Sequence, residues 1–141
     1  MTPYLQFRGT CAEAMRFYEG IFGGRLVLMR FSEAPEEVPG IPRDGAGSDR
    51  ILHGELRGGN WALMASDFPP GMGDPQTAVS VMWLAPDADA RRAIHDALME
   101  GGDEIVPYGP SFFSEGFGMA RDRFGTHWMI SVAPEAASST G

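Results

Sequence analysis

Ala12-Glu13-Ala14-Met15-Arg16 opens a helical run that ends at Gly23-Gly24 and is followed by Leu26-Val27. Ala88-Asp89-Ala90-Arg91-Arg92 opens a second run that ends at Gly101-Gly102 and is followed by Ile105-Val106. A short apolar strand precedes each run, Tyr4 to Phe7 in the first and Val79 to Leu84 in the second. Extended segments follow each and close on a tryptophan and a methionine, in Asn60-Trp61-Ala62-Leu63-Met64 and Thr126-His127-Trp128-Met129. Strand, helix, paired glycines and strands, twice over, indicate two copies of one supersecondary unit. Two half-domains sharing a core form their site where they meet, which sets the expectation of a single domain over 1–141. Module one takes about 1–67, module two about 78–132, and residues 133–141 form a tail.

Local signals set the expected boundaries. Thr10, with Glu13 three residues on, predicts a capping box ahead of a helix that runs to about Phe22, with Ala14, Phe17, Tyr18 and Ile21 on one face. Gly23 ends it by accepting a left-handed backbone. Residues 32–49 are rich in proline, glycine and acid and read as a loop, and 68–77 as the linker. Arg50 to Arg57 alternates, with Ile51, His53, Glu55 and Arg57 on one face and Leu52, Gly54 and Leu56 on the other. In the second copy Asp87 or Asp89 caps a helix to about Glu100. A strand follows around 104–107, then a hairpin over 112–122 and a last strand over 126–132.

Composition narrows the function. The net charge is -8 and all 11 basic residues are arginine. Without lysine there is no Schiff-base chemistry. Scattered arginines on an acidic chain argue against nucleic acid. No apolar run reaches the length a membrane helix needs, and no signal peptide is visible, so the expected location is the cytoplasm with no membrane partner. Cys11 is the one cysteine, which suits a reducing compartment. Its place near a helix start is read as structural or incidental. His95, mid-helix beside Asp96, is expected to be solvated.

Pro3-Tyr4-Leu5-x-Phe7, Glu13-Ala14-x-x-Phe17-Tyr18, Phe22-Gly23-Gly24, His53-Gly54-Glu55-Leu56, Leu63-Met64-Ala65-Ser66-Asp67 and Asp122-x-Phe124-Gly125-x-x-Trp128-Met129 together resemble the PhnB-like branch of the vicinal oxygen chelate superfamily. That superfamily includes glyoxalases, bleomycin-resistance proteins and extradiol dioxygenases. The resemblance covers residues 3 to about 132. It implies an α+β fold of two βαβββ modules whose strands curl into an open barrel around a shared pocket, and a homodimer. Some relatives carry a methyltransferase name. Gly45-Ala46-Gly47 lies inside an acidic loop and opens no helix, so it does not read as the glycine turn of a common methyltransferase.

In metal-dependent members the first and last strands of each module supply His, Gln or Glu. Those places fall at about Pro3, Met64, Val79 or Ser80, and Met129. Proline has no donor, and thioethers suit hard or borderline ions poorly. The usual metal site is therefore expected to be absent, with no cofactor. His53 and Glu55 face one side of their strand, and with His127 they could bind a metal or act as acid and base. Equally, they could hydrogen-bond each other. If Met129 points inward then so does His127, and Trp128 turns toward the helix. Trp61, Met64, Met82, Phe113, Arg121, His127 and Met129 are the candidate ligand-binding residues. Arg121 and Asp122 either fix one polar group of a ligand or pair with each other.

The expected function is the binding of a small apolar or aromatic molecule, in the manner of bleomycin-resistance proteins. The alternative is a vicinal oxygen chelate enzyme (lyase, dioxygenase or transferase-like) that uses His53 and Glu55, with or without a divalent metal.

Overall fold

The computed structural model describes residues 1–85, 87–111 and 114–132. Phe113, one of the candidate ligand-binding residues, and the tail 133–141 lie outside them. The chain divides into two compact units at the boundary between Gln76 and Thr77. The class is α+β, and each unit repeats the order strand, helix, three strands. The strands form two separate four-stranded sheets and do not close into a barrel.

In the first unit β1 (Tyr4–Phe7) is followed by α1 (Cys11–Phe22), β2 (Arg25–Arg30), a short 3-10 turn (Phe31–Glu33), β3 (Ile51–Arg57) and β4 (Ala62–Asp67). The sheet order is β1-β4-β3-β2, with β1 parallel to β4 and the other pairs antiparallel. Helix α1 buries Cys11, Ala14, Met15 and Tyr18, a spacing of three, one and three that keeps one stripe on the sheet. Against it lie Leu5, Phe7, Leu56, Leu63 and Ala65, all buried. The helix ends at Gly23, which has a positive φ of 73° but a ψ of -157°, an extended glycine conformation and not the left-handed helical cap the sequence suggested. Gly24 follows at φ 95°, and a Cβ there would stand 2.7 Å from the carbonyl oxygen of Arg57, so glycine is needed where the chain turns against β3.

The capping expectation at α1 is corrected. Thr10 holds the N-cap position but makes no side-chain capping hydrogen bond. Asp67, from the end of β4, takes the first helical donor instead. Its Oδ1 accepts from the backbone N–H groups of Gly9 at 2.8 Å and Cys11 at 3.0 Å, and its Oδ2 accepts from that of Ile51 at 2.8 Å. One buried carboxylate thereby ties three backbone donors from two separate segments together, the first helical amide among them.

In the second unit β5 (Ser80–Ala85), α2 (Ala88–Met99), β6 (Asp103–Ser111), β7 (Ser114–Arg121) and β8 (His127–Val132) build a sheet of order β5-β8-β7-β6. Asp87 caps α2 as expected, accepting from the N–H of Ala90 at 2.8 Å. Strand β6 is longer than the sequence suggested. It carries Pro107 and Pro110, and its pairing with β7 slips register three times. A strand at the sheet edge tolerates prolines and bulges that a central strand would not.

His95 is not solvated. It is fully buried on α2, and its Nε2 lies 3.1 Å from Oε2 of Glu104. With Arg91 and Leu98, also buried, it forms the core-facing stripe of the helix. A Cβ on Gly118 would stand 2.6 Å from His95 Nδ1, so the glycine on β7 makes the space that the imidazole fills. Among the described residues no helix is long and apolar enough to cross a membrane.

Candidate functional site

Alternation along each strand sends one set of side chains to the helix and the other to the opposite face of the sheet. In the first unit that opposite face holds Tyr4 on β1, Val27 and Met29 on β2, His53, Glu55 and Arg57 on β3, and Met64 on β4. Cross-strand register aligns them: Tyr4 pairs with Met64, Met64 with Glu55, Glu55 with Val27, and His53 with Met29. Tyr4, Val27 and Met29 are exposed.

Ile51 departs from the expected alternation. A register shift between Met29 and Arg30 lets one extra residue into β3. Ile51 is accordingly fully buried, and its Cγ2 lies on the side to which a Cβ on Gly54 would point.

The polar side chains of this face run as one hydrogen-bonded line. The Tyr4 hydroxyl lies 3.0 Å from His53 Nδ1, and the two rings stack with centroids 5.7 Å apart. His53 Nε2 lies 3.0 Å from Glu55 Oε1, and Arg57 Nε donates to Glu55 Oε2 at 2.8 Å. The hydrogen bond from His53, and next that from Arg57, hold the Glu55 carboxyl below the ordinary glutamate range. Glu55 is therefore a carboxylate, which can only accept. His53 Nε2 then carries a proton, and in the neutral imidazole Nδ1 is the acceptor facing the Tyr4 hydroxyl. Of the expected possibilities for the pair, the structure shows the hydrogen bond of His53 and Glu55 to each other, with the other ring nitrogen beside the Tyr4 hydroxyl.

In the second unit the face opposite α2 carries Met82, Met119 and Met129 side by side in register, with Ser80, His127 and Arg121 in the next row. Trp128 is buried toward α2, as the placing of Met129 and His127 requires. Arg121 forms an ion pair with Asp103, and Asp122 is buried against backbone N–H groups and Trp128, so the two do not pair with each other. Nδ1 of His127 is buried without a hydrogen-bond partner.

The structure thus places His53, Glu55 and Met64 on one sheet face, and Met82, Arg121, His127 and Met129 on the other sheet's equivalent face. Trp61 is elsewhere. It is half-buried beside Gly58 and meets Phe22 of α1 edge-on at 6.3 Å. Sequence reasoning missed Tyr4 and Arg57. Arg57 was signalled by its position two residues beyond Glu55, whereas Tyr4 reaches His53 only through a strand pairing that no local pattern announces.

Among the described residues no three His, Cys, Asp or Glu side chains gather to hold a metal ion. The donor chemistry agrees. The parallel pairs, each joining an edge strand to its neighbour, set Tyr4 beside Met64 and Met82 beside Met129. One phenol and three thioethers do not fit the divalent ions of vicinal oxygen chelate enzymes. Cys11 is buried, and burial, with the nearby Asp67 carboxylate, pushes its thiol pKa far up. A surface recess of about 640 Å³ is lined by Ser32 and loop residues such as Val38, Ile41 and Arg43, and by none of the sheet residues above.

A family model described as the Glyoxalase/Bleomycin resistance protein/Dioxygenase superfamily matches residues 2–130. The chain is 26% identical to Protein YjdN of Escherichia coli (strain K12) over 141 residues, covering 96% of each. It is 34% identical to the crystal structure of protein PA1353 from Pseudomonas aeruginosa, with a TM-score of 0.84 over 96% of this chain and 98% of that one. It is 23% identical to the PhnB protein structure from Bacillus cereus, with a TM-score of 0.75 over 94% of this chain and 98% of that one.

Proposed function

The chain belongs to the glyoxalase/bleomycin resistance protein/dioxygenase superfamily, and from that membership we propose that it binds a small, flat, apolar or aromatic molecule without a metal ion. The observation that carries this is the face of the first sheet. There a line of Tyr4, His53, Glu55 and Arg57 runs between Val27, Met29 and Met64. Methionines adapt to irregular apolar shapes, and a few fixed polar groups orient what they hold. The row of Met82, Met119 and Met129 on the second sheet offers the same adaptable apolar chemistry. This reading takes the protein as a cytoplasmic homodimer, a state that sedimentation equilibrium measures directly.

The test is a fragment screen by chemical shift perturbation on the wild type and on Met64→Glu, Met129→Glu and His53→Ala. Aromatic fragments should bind at roughly micromolar to millimolar affinity. Either glutamate places a carboxyl group on an apolar surface and should weaken binding. His53→Ala should weaken hydrogen-bonding fragments more than hydrocarbons. Shifts that cluster on neither sheet face, or affinities unchanged in all three variants, would overturn the proposal.

A second reading has one observation in its favour. A carboxylate that orients an imidazole, which in turn accepts from a hydroxyl, is the arrangement by which enzymes activate a weak acid. An acid–base enzyme built on His53 and Glu55 would convert a bound fragment, so recovery of every hit unchanged argues for binding alone.

A further inference from the structure

We infer that the Tyr4 hydroxyl is the contact for an acidic hydroxyl on the ligand, that of a phenol or an enol, and that it relays the ligand's proton to His53. The inference rests on the reading of this sheet face as a ligand site and names the chemical class that the site takes.

The geometry carries it in three steps. First, Glu55 is engaged on both oxygens, by His53 Nε2 at 3.0 Å and by Arg57 Nε at 2.8 Å, which orients it toward the imidazole. Second, with Nε2–H given to Glu55 the neutral imidazole presents Nδ1 as an acceptor, 3.0 Å from the Tyr4 hydroxyl. Third, Tyr4 is 46% exposed, and a hydroxyl that spends its own proton on Nδ1 turns its lone pairs outward. An outward lone pair selects a donor.

The neighbours leave that lone pair unopposed. Opposite His53 on β2 stands Met29, opposite Glu55 stand Val27 and Met64, and beside Tyr4 stands Met64. The charged groups on this face around His53 are Glu55, Arg57 and Arg25, the last opposite Arg57. Helix α1 packs on the other face. Met29, Val27 and Met64 offer apolar contact to a ring whose hydroxyl meets Tyr4, and Gln6, two residues along β1, is the polar side chain at the end of that surface.

The transfer balances without a further reactant. The ligand O–H bond breaks and its proton passes to the Tyr4 oxygen. The Tyr4 O–H bond breaks and its proton passes to His53 Nδ1. The electron pair of the first bond stays on the ligand oxygen as a phenolate or enolate, and the positive charge stays on an imidazolium beside the Glu55 carboxylate.

The experiment compares 4-nitrophenol with 4-nitroanisole, which has the same ring and no proton to give. Both are titrated into the full chain at a pH below the phenol's own pKa, with affinity read by chemical shift and the bound ionisation state by visible absorption. The wild type should prefer the phenol by about tenfold, the scale of a hydrogen bond to a charged group, and should show the phenolate band on binding. Tyr4→Phe should bring the two probes near parity while binding the ether as the wild type does, which shows that the variant is folded. His53→Gln should keep phenol binding but lose the phenolate band. Equal binding of both probes to the wild type on this face, or a phenol preference that survives Tyr4→Phe, would overturn the relay and leave the aromatic site standing. Binding of neither probe at this face would overturn both.

Discussion

Trp128 donates its indole N–H to the Asp122 carboxylate at 2.9 Å, and both residues are buried. Asp122 also accepts from the N–H groups of Phe124 at 2.8 Å and Thr126 at 3.1 Å, so one carboxylate shapes the turn into β8 and anchors the largest side chain beneath α2. Asp67 serves the first unit in the same way, joining the start of α1 to the start of β3.

Trp128→Ala should cost about 3–5 kcal/mol, because it opens a cavity in the core and removes a hydrogen bond from the buried Asp122 carboxylate. Trp61→Ala should cost distinctly less, since Trp61 is only half-buried. Urea denaturation of the two variants checks the order. Equal losses would mean that the indole of Trp61 is as enclosed as that of Trp128.

Asp67→Asn keeps the shape of the side chain but turns one accepting oxygen into a donor facing a backbone N–H. Whichever oxygen is replaced, at least one buried donor among Gly9, Cys11 and Ile51 loses its acceptor. The expected loss is about 1–3 kcal/mol. Amide hydrogen exchange at Cys11 and Ile51 should speed up more than exchange in the second unit.

Much of this architecture was legible in the sequence, for identifiable reasons. Helix α1 buries apolar residues at helical spacing and stops at a glycine, so periodicity and punctuation agree there. His53 and Glu55 share a face because a strand alternates. Helix α2 misleads because its core stripe is Arg91, His95 and Leu98. Judged by residue type, two of those three belong in water. Their spacing of four and three was the available signal, and Gly118 opposite His95 was its counterpart. Asp67 and Tyr4 act across strand pairings between distant segments, and no local pattern encodes a partner that far along the chain.

Glu55 makes the protein's acid response partly local. Its carboxyl is held below its ordinary value of 4.5 by His53 and Arg57. A depressed carboxyl adds stability that is fully present above the unfolded value and fades as pH falls through the folded one. The gap in thermal midpoint between wild type and Glu55→Gln should be widest near neutrality and should close as pH drops below about 4. A gap that stays constant down to pH 3 would contradict the depressed carboxyl.

Cys11 should resist chemistry in the folded protein. It is fully buried, its thiol is pushed toward the neutral form, and only the thiolate reacts. Alkylation by iodoacetamide at neutral pH should be slow in buffer and rapid in denaturant. Modification at the same rate in both would show that the start of α1 opens readily.

The last prediction concerns metal content. The parallel strand pairs set Tyr4 beside Met64 on one sheet face and Met82 beside Met129 on the other. Three of the four present thioethers, which bind soft ions and hold nickel, zinc, iron(II) or manganese weakly. His53, the imidazole nearest that row on the first sheet, is engaged on both nitrogens, by Tyr4 and by Glu55. A metal there would have to displace a hydrogen bond before gaining a ligand. His127 has Nδ1 without a partner, but its row on the second sheet supplies Ser80 and an Arg121–Asp103 ion pair, in which the carboxylate is already engaged by the guanidinium. Elemental analysis of protein purified without chelator should therefore find far less than one divalent ion per chain. Dialysis against a chelator should leave the thermal midpoint and fragment affinities unchanged. A stoichiometric ion whose removal lowers either would show that side chains rearrange to build a site the register does not offer.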